Sequence, residues 1–205
     1  MVRADIKQLY YITAIANVPS IVQRGILSHN QAERIGHKSI AEQGVQERRQ
    51  NKKIPGTKNT LHDYANLYFD AHNPMLSARR HLNDSICVLI ITKNVLEFNQ
   101  VIITDQNASR PCRFMTLEDG MAFLNKEEVF ARFWINKDDW AEEYRLKGVK
   151  CAEVLVPGRV DANFITGAYV ANNQALTLFS QVSSLPVEIK TDIFFYGNGY
   201  GNNNW

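Results

Sequence analysis

The stretch Lys150-Cys151-Ala152-Glu153-Val154-Leu155-Val156 is an apolar run broken by one carboxylate and closed by Pro157-Gly158. Its β-branched and aliphatic residues suit a pleated strand, and the Pro-Gly pair stops it sharply. Alternation along a strand sends Ala152, Val154 and Val156 to one face and Cys151, Glu153 and Leu155 to the other. On a covered face an unpaired Glu153 would carry a desolvation cost of several kcal/mol, so a buried carboxylate there requires a partner: an arginine, a sugar hydroxyl or a reacting group. The other reading of the same residues is an edge strand with Glu153 in water.

The chain has 205 residues, enough for one domain with a sizeable core. Its 45% hydrophobic and 21% charged content is that of a soluble globular protein. No apolar run has the length of a membrane span, and Met1-Val2-Arg3-Ala4-Asp5 does not open a signal-peptide core, so the expected location is cytoplasmic with no membrane partner. Cys87, Cys112 and Cys151 are far apart and sit in or beside apolar sequence, which reads as reduced thiols. The net charge of +2 does not by itself imply a nucleic-acid partner. Its distribution is more informative: Arg48, Arg49, Lys52, Lys53 and Lys58 cluster, Arg79-Arg80 form a second basic point, and acids gather at Asp138, Asp139, Glu142 and Glu143. Such a cluster is either a local polyanion contact or a solvated loop.

Outward from the Glu153 strand, residues 6–13, 63–69, 85–92, 101–105, 164–170, 187–190 and 193–196 read as further short strands, with 86–91 the strongest buried-strand signal. Asn17 is placed to cap a helix that Pro19 begins and Gly25 ends. Residues 28–31 read as a polar loop, 39–49 as a helix weakened by Gly44, and 51–58 as a basic loop. Residues 117–140 are helical in character, with Phe130, Phe133 and Trp134 read as core packing, and 142–148 as a polar lead-in. Asn172 or Asn173 caps a last helix. Short strands and a few helices in no βαβα order imply an α+β fold with a mostly antiparallel or split sheet. The expected organisation is one domain over residues 1–196 and a low-complexity, mobile tail over 197–205.

Gly-x-Gly-x-x-Gly, Walker A and Gly-x-Ser-x-Gly motifs are absent. The five histidines, His29, His37, His62, His72 and His81, show no His-x-x-x-His or similar ligand spacing, and His62-Asp63 with Glu153 makes only a weak metal-nuclease trio, so no metal is expected.

Several blocks in order resemble one family: Leu9-Tyr10-Tyr11-Ile12-Thr13 with Asn17-Val18-Pro19-Ser20-Ile21 and Gly25-Ile26-Leu27, Gln46-Glu47-Arg48-Arg49, His62-Asp63-Tyr64, Leu67-Tyr68-Phe69, Asn73-Pro74-Met75-Leu76 and Ala152-Glu153-Val154-Leu155-Val156. They resemble the DarT family of DNA-base ADP-ribosyltransferase toxins from about Leu9 to Tyr196. The resemblance implies an ADP-ribosyltransferase-like split antiparallel sheet with flanking helices. It also implies NAD+ as substrate in the central cleft, single-stranded DNA as acceptor, release of nicotinamide, and a macrodomain-type antitoxin as partner. By motif, Glu153 matches the catalytic glutamate and Arg49 the arginine that assists the acceptor base, with Arg48 as the adjacent register. Tyr11, Thr13, Tyr68 and Met75 match nucleotide-pocket positions, and Arg48, Lys52 and Lys53 would track nucleic-acid phosphates. Residues 138–150 match the loop that presents substrate. Tyr11 stands where the family often has His in a His-Ile-Thr-His pattern, and Ala14 replaces the second His; a tyrosine can still donate to a ribose. Leu67-Tyr68-Phe69-Asp70-Ala71-His72 differs from the Pro-Phe-Tyr-Phe form of thymine-modifying members, so both thymine and guanine remain as acceptors. Two other functions stay open from the residues: a transferase of the same fold acting on RNA or protein, and a non-enzymatic single-strand binding module.

Overall fold

The computed structural model describes residues 1–197. Of the tail expected to be mobile, residues 198–205 therefore lie outside the described residues. The strands are β1 Gln8–Ala14, β2 Ile26–Leu27, β3 Tyr64–Tyr68, β4 Ile86–Thr92, β5 Ile102–Thr104, β6 Phe114–Met115, β7 Glu153–Pro157, β8 Arg159–Val160, β9 Ile165–Val170 and β10 Val187–Ile189. The helices are α1 Val18–Arg24, α2 His29–Ala32, α3 Gln43–Gln50, α4 Pro74–Ala78, α5 Leu117–Phe123, α6 Lys126–Val129, α7 Trp140–Val149 and α8 Asn173–Val182.

Eight strands form one sheet in the order β10-β9-β4-β1-β3-β7-β5-β6, and β2 pairs with β8 in a small second ribbon. Every pairing is antiparallel except β9 with β10. β1 runs along the whole of β4, from Gln8↔Thr92 to Ala14↔Ile86, but meets β3 at Tyr10↔Tyr68 alone. The sheet is therefore split between β1 and β3, as expected for this fold class.

The placement of β7 decides between the two readings of Glu153. β7 lies between β3 and β5, with Tyr68↔Glu153 and Ile103↔Val154 in register. Val154 and Val156 join the main core under α1, α5 and α8, whereas Leu155 and Cys151 pack into two smaller clusters on the opposite side. Both faces are covered, Glu153 has no exposure, and the edge-strand alternative is overturned. β4 is a continuous apolar run for the same reason: buried on both sides, it gains burial at every position rather than every second one. Next to Glu153 a second buried charge, Lys150, pairs with the Asp70 carboxylate and donates to Val129 O at 2.9 Å, tying the end of α7 to the chain after β3 and to α6.

Local expectations failed where side chains compete with the backbone. The helical stretch expected over 117–140 is helical only in part and divides into α5 and α6, because Asn125 accepts from Glu127 N and starts a new turn. Residues 130–139 are a loop, and the presumed core stripe divides: Trp134 is buried against His72 and Phe195, whereas Phe133 is 77% exposed. The lead-in over 142–148 is instead α7, capped by Asp139 accepting from Glu142 N at 3.0 Å. Residues 28–31, read as loop, close one helical turn in α2. Asn17 precedes α1 without capping it; its amide is spent on Thr13 and on the Lys38 backbone. Residues 193–196 form no strand: the Ile193 carbonyl lies 2.9 Å from His72 Nδ1 and the Phe195 carbonyl accepts from Asn83, so side chains take the acceptors a ladder would have used. Cys87, Cys112 and Cys151 are free thiols, as expected.

Candidate active site

The pocket opens where β1 and β3 part. β1 contributes Tyr11 and Thr13, β3 contributes Tyr64, Asn66 and Tyr68, and α4 contributes Met75. A loop over residues 36–42 roofs it. That roof is pinned at two points. Asn17 bonds both the N–H and the carbonyl of Lys38 at 2.9 Å each, and the Arg79 guanidinium donates to the Ile40 carbonyl. Glu42, at the end of the roof, keeps one buried carboxylate oxygen without a partner among the described residues, in the lining of the same pocket.

Arg49 closes the inner end. It projects from α3 and is buried, and its guanidinium forks onto Glu153: Nη1 to Oε1 at 2.9 Å, Nη1 to Oε2 at 3.1 Å and Nη2 to Oε2 at 3.1 Å. The Ala108 N–H donates to Glu153 Oε1 at 3.2 Å, and the Glu153 N–H donates to Thr104 Oγ1 at 3.1 Å. Burial opposes the charge on Arg49, but the facing Glu153 carboxylate outweighs it, and the guanidinium is held above its ordinary pKa. Two ions withdrawn from water are a poor source of net stability compared with an apolar pair of the same volume. A dry Arg–Glu fork at the end of a pocket is thus a functional-site candidate.

Two tyrosines line the pocket, and one of them stands beside the fork. Tyr68 lies opposite Glu153 in the ladder, and its hydroxyl is raised well above the ordinary range by burial and by the Glu153 charge. Burial lifts the Tyr11 hydroxyl to about 12, with Cys87 adding to the rise. Both therefore remain neutral donors at physiological pH. Further along the wall the His62 and His29 rings sit 4.0 Å apart, and His62 Nε2 lies 3.1 Å from Gln46 Oε1 on α3. Burial, then His29 and Arg49, lower His62 to about 4.

The structure brings together Tyr11, Thr13, Arg49, Tyr68 and Met75 around one pocket, with Glu153 directly behind Arg49. It separates the two arginine registers, since Arg48 is exposed on the outer side of α3 while Arg49 points inward. Of the basic residues, Lys53 is exposed, whereas the Lys52 amine turns inward to the Arg110 carbonyl and lies over the Phe114 ring. Sequence reasoning missed Thr104 and Ala108, which support Glu153 through one hydroxyl and one backbone N–H. The run Asp105-Gln106-Asn107-Ala108-Ser109, made of turn-forming residues, is the only trace of that contact in the sequence. It also missed that His29 and His37 meet at Glu33, because an i, i+4, i+8 set that mixes imidazoles with a carboxylate falls outside a search for paired histidines.

Comparison with known proteins points the same way. Residues 10–195 match the family model described as "DarT: ssDNA thymidine ADP-ribosyltransferase". A DNA ADP-ribosyl transferase–DNA ADP-ribosyl glycohydrolase fusion protein of Thermosipho africanus is 29% identical over 203 residues, covering 94% of this chain and 50% of the fusion. The chain thus spans about half the length of that relative. A DNA ADP-ribosyl transferase of Thermus sp. is 29% identical over 160 residues, 72% of this chain and 73% of its own length. The Thermosipho DarTG solved with ADP-ribose superposes with a TM-score of 0.77 at 26% identity over 94% of this chain and 52% of that one. The Thermus DarT solved with ADP-ribosylated single-stranded DNA gives 0.75 at 25% identity over 93% and 97%.

Proposed function

The chain belongs to the DarT family, and from that premise we propose that it transfers ADP-ribose from NAD+ to a thymine of single-stranded DNA, releasing nicotinamide. The observation that carries the reading is the Arg49–Glu153 fork, dry and aimed at a pocket whose walls hold the nucleotide-pocket positions Tyr11, Thr13, Tyr68 and Met75. In this reaction the nicotinamide–ribose bond breaks, nicotinamide leaves with the electron pair, and the ribose carbon gains oxocarbenium character. A ring nitrogen of the base then bonds that carbon and gives up its proton. A fixed carboxylate stabilises the positive charge and orients a ribose hydroxyl; that is the role of Glu153. Arg49 stands between the pocket and that carboxylate, so a hydroxyl reaches Glu153 only as the guanidinium yields one oxygen. The freed N–H groups then face the base and stabilise its developing negative charge. Glu42 offers its unpaired oxygen to a hydroxyl or amine of NAD+.

Arg48 and Lys53, both exposed, contact the phosphates of the acceptor strand, with Lys52 anchoring the loop that carries Lys53. The acceptor strand is presented by the segment at 138–150. The Thermosipho fusion supports a macrodomain-type glycohydrolase antitoxin as partner, acting in the cytoplasm, where free thiols persist. Among the described residues no helix is long and apolar enough to cross a membrane.

The test is mass spectrometry of oligonucleotides incubated with the protein and NAD+: one DNA with a single thymine, one with a single guanine, and an RNA. The expected result is one added ADP-ribose on the thymine DNA, absent with Glu153→Gln. Addition only to guanine overturns the base assignment, and addition only to RNA overturns the acceptor.

A further inference from the structure

His29 opens α2, Glu33 follows one turn later, and His37 lies one such interval further along in the loop. The fold gathers their donor atoms. Glu33 Oε1 is 3.6 Å from His29 Nε2 and 3.8 Å from His37 Nδ1, and all three donor atoms lie within 4.8 Å of one another. The imidazole planes are crossed at 87° with centroids 6.0 Å apart, so each ring turns a nitrogen toward the shared carboxylate. These separations exceed hydrogen-bond length, and the three groups surround a space rather than bonding one another.

We propose that His29, Glu33 and His37 form a three-ligand site for a divalent transition metal of the zinc type, on the rim of the pocket. Zinc takes imidazole nitrogen and carboxylate oxygen at about 2.0–2.2 Å in a tetrahedron, which sets donors roughly 3.3 Å apart. Two of the three separations are within a fraction of an ångström of that value, and small side-chain rotations, freest at the exposed Glu33, supply the rest. Two imidazoles with one carboxylate suit zinc and its neighbours, not calcium or magnesium, which require oxygen sets. The fourth position stays open to water.

The location gives the site a consequence. His29 and His37 both line the pocket, His29 leans on His62, and His37 adjoins Lys38, the residue Asn17 pins. A bound metal would tie α2 to the roof loop and stiffen the pocket rim. The site needs neither NAD+ nor DNA, so its test is separate from that of the transferase reading.

The experiment uses the tag-free full chain, stripped with a chelator, with Co2+ as a visible probe and Zn2+ as competitor. Expected is a single saturable site with the intense absorption of tetrahedral cobalt, displaced by Zn2+, and a thermal midpoint raised by Zn2+. His37→Ala should weaken binding by at least the roughly 10- to 100-fold that losing even a ligand's hydrogen-bond partner costs. Glu33→Gln, at a 60% exposed side chain where folding is not at stake, should do likewise, while His81→Ala at another exposed site should not. Absence of a saturable band, a band that survives Glu33→Gln and His37→Ala, or the sulfur charge-transfer absorption of Cys112 ligation would each overturn the proposal.

Discussion

At the scale of single residues the molecule turns on Glu153 and Arg49. Removing one partner of a buried ion pair leaves the other charged and dry, a loss of about 3–5 kcal/mol, whereas replacing both by apolar residues of similar volume is often neutral. Glu153→Ala and Arg49→Ala should therefore each abolish ADP-ribosylation and lower stability by about that amount. The double variant Glu153→Leu/Arg49→Met should regain most of the stability and none of the activity. Urea unfolding beside the oligonucleotide assay separates the two effects. Single variants as stable as the parent would mean that the fork is open in solution. That Glu153 is a carboxylate on a strand could be read from residues 150–156. That its partner is Arg49 rather than Arg48 could not, because both belong to one basic run and only the rotation of α3 separates them.

At the scale of elements, chain breakers proved more legible than long periodic stretches. Gly25 ends α1 with φ +86°, and a Cβ there would sit 2.2 Å from the Val160 carbonyl oxygen, where β8 pairs with β2. Gly25→Ala meets both a left-handed backbone and an immovable acceptor, so it should cost more than about 1 kcal/mol. Chemical denaturation gives the value, and a variant of parental stability would show that the turn can relax. The stretch over 117–140 carries the opposite lesson. Of its aromatic stripe only Trp134 is buried, Phe130 and Phe133 being exposed, because Asn125 and Asp139 reopen the backbone as caps, and a hydrophobic pattern is silent on which polar residue will do so.

At the scale of the whole molecule, three histidines hold a proton less tightly than a free imidazole. His62 is lowered to about 4, and His29 and His72 are also lowered, in each case chiefly by burial. A group whose folded pKa is depressed takes up its proton more readily in the unfolded chain. The stability it lends is complete above the ordinary histidine value and is lost as pH falls toward the folded one. The thermal midpoint should therefore drop between pH of about 6.5 and 4, and His62→Gln should flatten part of that slope. A midpoint indifferent to pH across this window would show that these rings stay protonatable in the fold.

By itself the amino-acid sequence determined the class of fold, the strands at β1, β3, β4, β7 and β9, the presence of one carboxylate within an apolar strand and the family, because apolar alternation, turn residues and ordered motifs are local properties of the chain. Only the tertiary structure decided that β7 is interior, that the pocket opens at the split between β1 and β3, and that Arg49 forks onto Glu153. Only the tertiary structure, too, set Ala108 under the carboxylate and His29 beside His37. Those relations join residues far apart in the chain or on opposite sides of a turn, and their distances follow from how sheets and helices pack rather than from any spacing along the sequence.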